Sequence, residues 1–158
     1  MNIKLILVGK TNEDYLNIAI NKYVKRLKFY VNFDIITIPE LRNIKNTNVE
    51  QQKEKEGKLI LSKVNNYPGH IILLDEKGKE FTSEKFASWI HKKQINSTKN
   101  LIFIIGGPFG FSNEIYSLAN EKISLSQMTF SHQMIRLLFV EQIYRAYTII
   151  NNEPYHHK

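Results

Sequence analysis

Short apolar runs alternate with longer stretches of helical periodicity along the chain. The apolar runs predict buried strands at residues 4–8, 33–38, 70–74 and 101–105, with a shorter fifth strand at 121–125. Apolar positions spaced three or four apart predict helices at 12–28, 49–64, 83–94 and 131–150, with a short helix beginning near 112. The fourth strand is apolar throughout, as expected for a strand covered on both faces. The pattern therefore predicts an α/β fold, an open parallel sheet with helices on both faces.

The segments between these elements read as connections. Residues 40–48 are polar and rich in asparagine, and 75–78 have the composition of a turn. We see no internal repeat and no linker, so we expect one domain over residues 1–158.

Charge favours a nucleic-acid partner. The net charge is +7, and one side of the first helix carries Lys22, Lys25, Arg26 and Lys28. Contacts between basic side chains and backbone phosphates supply much of a protein's affinity for nucleic acids. A basic surface can also serve only to keep a protein soluble. The chain has no cysteine, which excludes disulfides and thiolate zinc sites, and no metal-binding cluster is apparent. No apolar run could span a bilayer and no signal-peptide cleavage site follows the first strand, so we expect a cytoplasmic protein.

The sequence Gly106-Gly107-Pro108-Phe109-Gly110 follows the fourth strand. Ligands of open α/β sheets bind beyond the carboxyl ends of strands, where glycines allow the backbone to approach closely. The spacing matches neither the dinucleotide fingerprint nor the P-loop. The motif is therefore a candidate ligand-binding turn, and a purely structural turn is the alternative.

The last predicted helix carries the remaining candidates. His132 and Arg136 share one face, and Glu141 and Arg145 form an i,i+4 pair on the opposite one, for which a structural ion pair is the simpler interpretation. The helix is apolar nearly all round, which predicts burial on more than one side, with a second subunit as the second cover. Beyond it, Tyr155 and His156 could stack on a base or handle its proton, unless the tail is frayed.

Several of these segments together are similar to a known family. They are the sequence 104–110, the sequence 125–136, Glu141-Gln142-Ile143-Tyr144-Arg145-Ala146 and the ending Pro154-Tyr155-His156. They resemble the bacterial large-subunit ribosomal RNA methyltransferases that act on N3 of a pseudouridine, which belong to the SPOUT superfamily. The resemblance covers the whole chain and includes Val8-Gly9-Lys10 and Lys53-Glu54-Lys55-Glu56-Gly57. Ser131 stands where many relatives have proline. Serine is a good helix cap, so we expect the helix start to persist.

The resemblance implies a C-terminal deep trefoil knot, a homodimer and S-adenosylmethionine as cofactor. It implies that the cofactor lies among three loops, which contribute Leu74, Gly106, and the run Leu125, Ser126, Gln127, Met128, Thr129 and Phe130. The substrate would be ribosomal RNA. Because the chain is small and has no appended RNA-binding module, we expect an assembled ribosomal particle to supply further contacts.

Methyl transfer to N3 of pseudouridine requires removal of the imide proton and stabilisation of the developing anion. Arg136 and Arg145 are the candidate stabilisers; His132, Tyr155 and His156 are candidates for handling the proton or stacking on the base. Two alternatives remain at this level: a non-catalytic ribosome-binding factor, and a SPOUT enzyme that acts on transfer RNA or on a ribose 2′-hydroxyl.

Overall fold

The computed structural model describes residues 1–41 and 48–157 and shows one parallel sheet between two layers of helices. The strands are β1 (Asn2–Val8), β2 (Asn32–Ile38), β3 (His70–Glu80), β4 (Asn100–Ile105) and β5 (Glu121–Ser124), in the order β2-β1-β4-β3-β5. The helices are α1 (Asp14–Leu27), α2 (Val49–Val64), α3 (Ser83–Ile95), α4 (Asn113–Leu118) and α5 (Met134–Ile150). The predicted α/β architecture is confirmed.

The central strand β4 shows why both faces must be covered. Leu101, Phe103 and Ile105 point into a core shared with α1, α3 and α5. Ile102 and Ile104 point into a second core under α2 and α4. All five side chains are buried, so an uninterrupted apolar sequence is what this position in the sheet requires.

Strand β3 runs further than its sequence indicated. The prediction ended it at residue 74 and placed a turn at 75–78, but pairing with β5 resumes at Lys79, and both Leu74 and Lys79 lie opposite Ile123. The intervening residues loop out of the ladder, and the amide of Lys77 donates to Oδ1 of Asp75 at 2.8 Å. Gly78 makes the return possible: a Cβ there would lie 2.5 Å from the backbone of Ile123. The turn signal was right, but the strand end was wrong.

Two helix starts also differ from prediction. Helix α5 begins at Met134, three residues after the predicted start, although Oγ of Ser131 still accepts a hydrogen bond from the amide of Met134 at 3.1 Å. Helix α3 begins at Ser83 as predicted, and Thr82 caps it with a hydroxyl that accepts from the amide of Lys85. Helix α1 begins at Asp14, two residues after its predicted start at residue 12. Both shifts are of the size expected for helix ends.

The sheet order brings the carboxyl ends of β4, β3 and β5 together, because these parallel strands are neighbours. The loops that follow them therefore meet at one edge. The predicted loop at 40–48 lies mostly outside the described residues. Within the described ranges, no helix is long and apolar enough to cross a membrane.

Candidate functional site: a loop-lined cavity and a folded-back tail

A cavity of about 460 Å³ opens at the carboxyl ends of β3, β4 and β5. Seven of the eight residues predicted to bind the cofactor line it: Leu74, Gly106, Leu125, Ser126, Met128, Thr129 and Phe130. The eighth, Gln127, is not among the lining residues. Its side-chain amide donates instead to Oε2 of Glu80 at 3.4 Å. The three predicted loops thus form one cavity wall.

The glycine turn after β4 is packed tightly from behind. A Cβ on Gly106 would lie 3.0 Å from the ring of Phe111, and one on Gly107 would lie 2.8 Å from Oε2 of Glu56. Gly110 has a φ of +79°, a left-handed conformation that side chains disfavour, with open space around it. Only glycine allows this backbone to pack against Phe111 and Glu56 on one side and to border the cavity on the other.

The loop after β5 is held by its own serines. The hydroxyl of Ser124 donates to the carbonyl of Ser126 at 2.9 Å, and Oγ of Ser126 accepts from the amide of Met128 at 2.9 Å. Met128 and Phe130 are nevertheless exposed, and both line the cavity. The loop therefore presents apolar side chains at an open rim.

Charged groups line the same cavity. Asp75 and Glu76 from the β3 excursion lie in its wall with Lys53 and Lys77. The hydroxyl of Tyr116 donates to Asp75, and burial together with this carboxylate raises the pKa of Tyr116 above its ordinary value. Tyr116 therefore remains protonated at physiological pH.

Glu56 is a buried acid that sequence reasoning did not single out. Its side chain lies behind Gly107, and Gln52 donates to its Oε1 at 3.3 Å. Burial raises the pKa of the Glu56 carboxyl. A signal was present, since Gln52, Glu56, Ile60 and Val64 recur every four residues and extend the apolar stripe of α2 backwards.

His132 lines the cavity. Burial, and secondarily the nearby charge of Arg136, lowers the pKa of its imidazole below the ordinary 6.5. The side chain is therefore neutral at pH 7 and can accept a hydrogen bond or a proton.

Arg136, predicted to act beside His132, is not among the residues that line the cavity. The side chain is completely buried, with Nη1 donating to Oγ1 of Thr11 at 3.0 Å and Nη2 donating to the carbonyl of Val8 at 2.6 Å. It lines a separate cleft of about 370 Å³ between α1, α5 and the strands β1 and β2. The helix turns Arg136 inwards, under the start of α1.

Arg145, Tyr155 and His156 form a compact cluster. Nε and Nη2 of Arg145 donate to Oε1 of Glu141 at 3.0 and 2.5 Å, and the Arg145 guanidinium lies 4.8 Å from the centre of the Tyr155 ring. His156 bridges Nη1 of Arg145 at 3.2 Å and Oε1 of Glu84 at 3.1 Å. The tail is thus folded onto α5 and α3, as a frayed end would not be.

The tail cluster and the cavity lie apart within the chain. Ile135 lines the cavity, and Arg145 follows ten residues later on the same helix, a separation of about 15 Å along its axis. No residue of the cluster lines the cavity. The predicted catalytic residues therefore divide into His132 at the cavity, Arg136 beneath α1, and the cluster of Arg145, Tyr155 and His156.

Comparison with curated proteins finds relatives that match over the full length of both chains. "Ribosomal RNA large subunit methyltransferase H" of Phocaeicola vulgatus is 58% identical over 159 residues, and the proteins of the same name from Parabacteroides distasonis and Flavobacterium johnsoniae are 57% and 55% identical. Each match covers 100% of this chain and of the relative.

Solved structures share the fold at low identity. A probable methylase family protein from Haemophilus influenzae superposes with a TM-score of 0.55 at 13% identity, covering 96% of this chain and 67% of the other. A probable methyltransferase from Bordetella pertussis gives 0.55 at 10% identity, covering 92% and 95%. The family model described as predicted SPOUT methyltransferase matches residues 1–156. The chain therefore belongs to the SPOUT methyltransferase family, and its parallel sheet with a C-terminal trefoil knot is the fold of that family.

Proposed function

We propose that this chain methylates N3 of a pseudouridine in large-subunit ribosomal RNA, with S-adenosylmethionine as the methyl donor. One observation carries the proposal: full-length relatives at 55–58% identity are named ribosomal RNA large subunit methyltransferases. The three-loop cavity is the binding site that such an enzyme needs.

The residues around the cavity fit the cofactor. Its volume of about 460 Å³ lies within the range of roughly 300–1,000 Å³ that is usual for small-molecule sites. Apolar side chains such as Leu74 and Leu125 suit the adenine ring, and the turn at Gly106 allows close backbone approach. Asp75 and Glu76 complement a cationic cofactor, while Lys53 and Lys77 complement its carboxylate. When bound, S-adenosylmethionine supplies a methyl group activated by the sulfonium charge.

The protein must orient the target base and manage its proton. N3 of pseudouridine is a weakly acidic imide, so it must lose a proton to become a good nucleophile. His132 is suited to this step because it lines the cavity and its lowered pKa keeps the imidazole neutral. Its Nε2 accepts a 3.3 Å hydrogen bond from the side-chain amide of Gln133, which the proton of the base must displace. In-line placement of the base against the methyl group supplies the other main part of the rate enhancement.

We infer a homodimer in which each tail completes the other subunit's site. The tail cluster lies about 15 Å along α5 from its own cavity, too far to serve it directly. Glu141 raises the pKa of Arg145, which keeps a full positive charge for stabilising the developing anion. Burial raises the pKa of Tyr155, so its hydroxyl remains a donor. The half-buried Leu138, which lies outside the core cluster, offers an apolar contact on α5 for the partner.

We propose an assembled ribosomal particle as the form of the substrate. The shape of such a particle would add contacts to those that the 158 residues make themselves, and a ribosomal substrate places the enzyme in the cytoplasm. The test is transfer of a labelled methyl group to particles and to protein-free RNA, with the modified nucleotide mapped in a deletion strain. Methylation of transfer RNA, or of a ribose hydroxyl, would contradict the proposal. Binding to ribosomes without affinity for S-adenosylmethionine would favour a non-catalytic factor.

A further inference from the structure

The cleft that contains Arg136 is separate from the cofactor cavity, and no residue lines both. Its volume is about 370 Å³. The floor is apolar, from Leu5, Leu7 and Val140, and the mouth is polar, from Lys10, Thr11, Asn17, Asn21 and Thr37. None of the lining residues is acidic.

Arg136 brings to this cleft a positive charge that has no salt-bridge partner among the described residues. The side chain is completely buried, its two hydrogen bonds go to neutral oxygens, and its Nε has no partner among the described residues. No carboxylate of the described chain lies within salt-bridge distance of it. The stretch from Leu41 to Asn48 contains no acidic residue. The carboxylate of Glu40 acts on the guanidinium from beyond that distance and raises the pKa of Arg136 against the larger effect of burial, but Glu40 does not line the cleft. A buried charge held only by neutral oxygens is costly, so an anion bound above it in the cleft would be favoured.

The other polar groups at the mouth favour the same ligand. Lys10 is exposed and contributes a second positive charge, and the amide of Asn21 is an exposed donor. The hydroxyl of Thr11 accepts from Arg136, so its own proton remains available for a ligand. Two cations with neutral donors and no acid are the groups with which proteins bind phosphate.

The cleft is also tied to the rim of the cofactor cavity. The side chain of Gln133 donates to the carbonyl of Lys10 at 3.0 Å and accepts from the amide of Asn12 at 3.0 Å. Gln133 follows His132, which lines the cavity. The two openings therefore keep a fixed relation, as needed to bind two parts of one strand.

We propose that this cleft binds a backbone phosphate of the RNA substrate, close to the nucleotide that enters the cofactor cavity. The inference rests on the proposed function and adds to it a binding site outside the methyl-transfer centre. Lys10, Asn21 and the Thr11 hydroxyl then contact the phosphate, and the buried Arg136 attracts it through its charge from beneath the cleft.

The kinetic test uses exposed positions, because replacing Arg136 would also leave the Val8 carbonyl without its donor. Asn21→Asp places a negative charge at the mouth with little change of shape, and Lys10→Ala removes a cation. The matched controls are Asn65→Asp, at the exposed C-cap of α2, and Lys92→Ala, exposed on α3. We expect Asn21→Asp to raise KM for ribosomal particles about tenfold, a loss of about 1.4 kcal/mol in binding. The kcat and the affinity for S-adenosylmethionine should not change.

Salt dependence gives a second kinetic readout. Loss of one phosphate contact should reduce the slope of log(kcat/KM) against log[salt] by about 0.7–0.9 in Lys10→Ala. Lys92→Ala should keep the wild-type slope. Equal KM values and slopes in the variants and their controls would overturn the proposal.

A direct test needs no activity. In ¹⁵N-labelled protein, inorganic phosphate should shift the Arg136 Nε–H resonance saturably, and more weakly in Asn21→Asp. An unmoved resonance would overturn the proposal. A shifted resonance with an unchanged KM in Asn21→Asp would assign the cleft to free phosphate and overturn the RNA contact. Failure of the proposed function is distinguishable, because the wild-type protein would then transfer no methyl group while the phosphate titration still reports on the cleft.

Discussion

The hydroxyl of Tyr155 donates a 3.1 Å hydrogen bond to Oε1 of Glu141, fourteen residues earlier in the chain. The same carboxylate holds Arg145, whose guanidinium covers the Tyr155 ring. The Glu141–Arg145 ion pair therefore has a defined structural role, which is to position the tail. A tail fixed in this way is available to act at a defined place.

Deletion of residues 155–158 should reduce methyl transfer to ribosomal particles by a factor of about 100 or more, the usual scale for loss of a positioned acid–base group. Cofactor affinity should change little, because the tail cluster does not line the cavity. The subunit should still fold, at a lower melting temperature, because the contacts of the tail with Glu141, Tyr144 and Glu84 are lost. Tyr155→Phe is the graded control, since it keeps the ring under Arg145 and loses only the hydroxyl. Full activity of the truncated enzyme would leave the tail without a catalytic role.

Subunit mixing tests the shared site. Gly106→Val subunits should lack a usable cofactor cavity, and truncated subunits lack the tail, so each homodimer should be inactive. In a mixed dimer, one cavity is intact and receives the intact tail of the other subunit. We expect recovered activity on mixing, and no recovery would show that each tail serves its own cavity.

Gly106→Val should block binding of S-adenosylmethionine. A Cβ on residue 106 would lie 3.0 Å from the ring of Phe111, which is itself buried, so the two methyl groups of valine must move the turn or enter the cavity. Calorimetric titration measures the loss, and circular dichroism checks the fold. Ser88→Val, exposed on α3, is the control for adding valine elsewhere. Unchanged affinity in a folded Gly106→Val protein would show that the turn is only structural.

Leu138→Glu and Phe139→Glu should have different outcomes. Phe139 is completely buried in the subunit, with its ring 4.8 Å from that of Phe103, so a charge there should abolish folding. Leu138 is half-buried and lies outside the core cluster, so a charge there should leave the subunit folded and disrupt the proposed dimer. Light scattering and circular dichroism separate the two effects. A dimeric, folded Leu138→Glu protein would put the interface elsewhere.

The cavity could be predicted from the sequence because its parts are local. An apolar strand ending in two glycines specifies both the position in the sheet and a turn that a ligand can approach, and Gly106 lies where the pattern indicated. The resemblance supplied the other two loops. Glu56 escaped attention because one acid among many on a charged helix stands out only when the four-residue spacing to Ile60 is followed.

The position of Arg136 could not be predicted, for a different reason. Periodicity places it on the same side of the helix as His132, but the helix begins only at Met134, so the two residues do not share one regular helical face. The partners of its guanidinium, Thr11 and Val8, are more than 120 residues away along the chain. Contacts of that range depend on tertiary packing, which local pattern does not contain.

The exposed lysines of α1 should guide RNA binding. Lys22, Lys25 and Lys28 are exposed, whereas Arg26, which the sequence grouped with them, is half-buried with its guanidinium 5.6 Å from the Tyr144 ring centre. Replacing the three lysines with alanine should flatten the salt dependence of particle binding by about two to three units in the log–log slope. Cofactor affinity should not change. The control replaces Lys55, Lys58 and Lys63, which are exposed on α2, and should retain the slope if α1 faces the substrate.

The buried carboxyl of Glu56 should make the protein less stable as the pH rises. Burial raises its pKa above the ordinary value of 4.5, so between these two values the folded state holds the proton more firmly than the unfolded state. Unfolding then releases a proton, and the free energy of unfolding falls as pH increases through that window and stays lower above it.

Glu56→Gln removes the titrating group but keeps an oxygen that can accept from Gln52. Its melting temperature should match that of the wild type below about pH 4.5, exceed it by a margin that grows through the window between the two pKa values, and keep that margin at higher pH. Glu54→Gln, exposed on the same helix, should show no such divergence. If the melting temperatures of the wild type and Glu56→Gln change in parallel across the whole pH range, the folded protein stabilises the Glu56 carboxylate as effectively as water does.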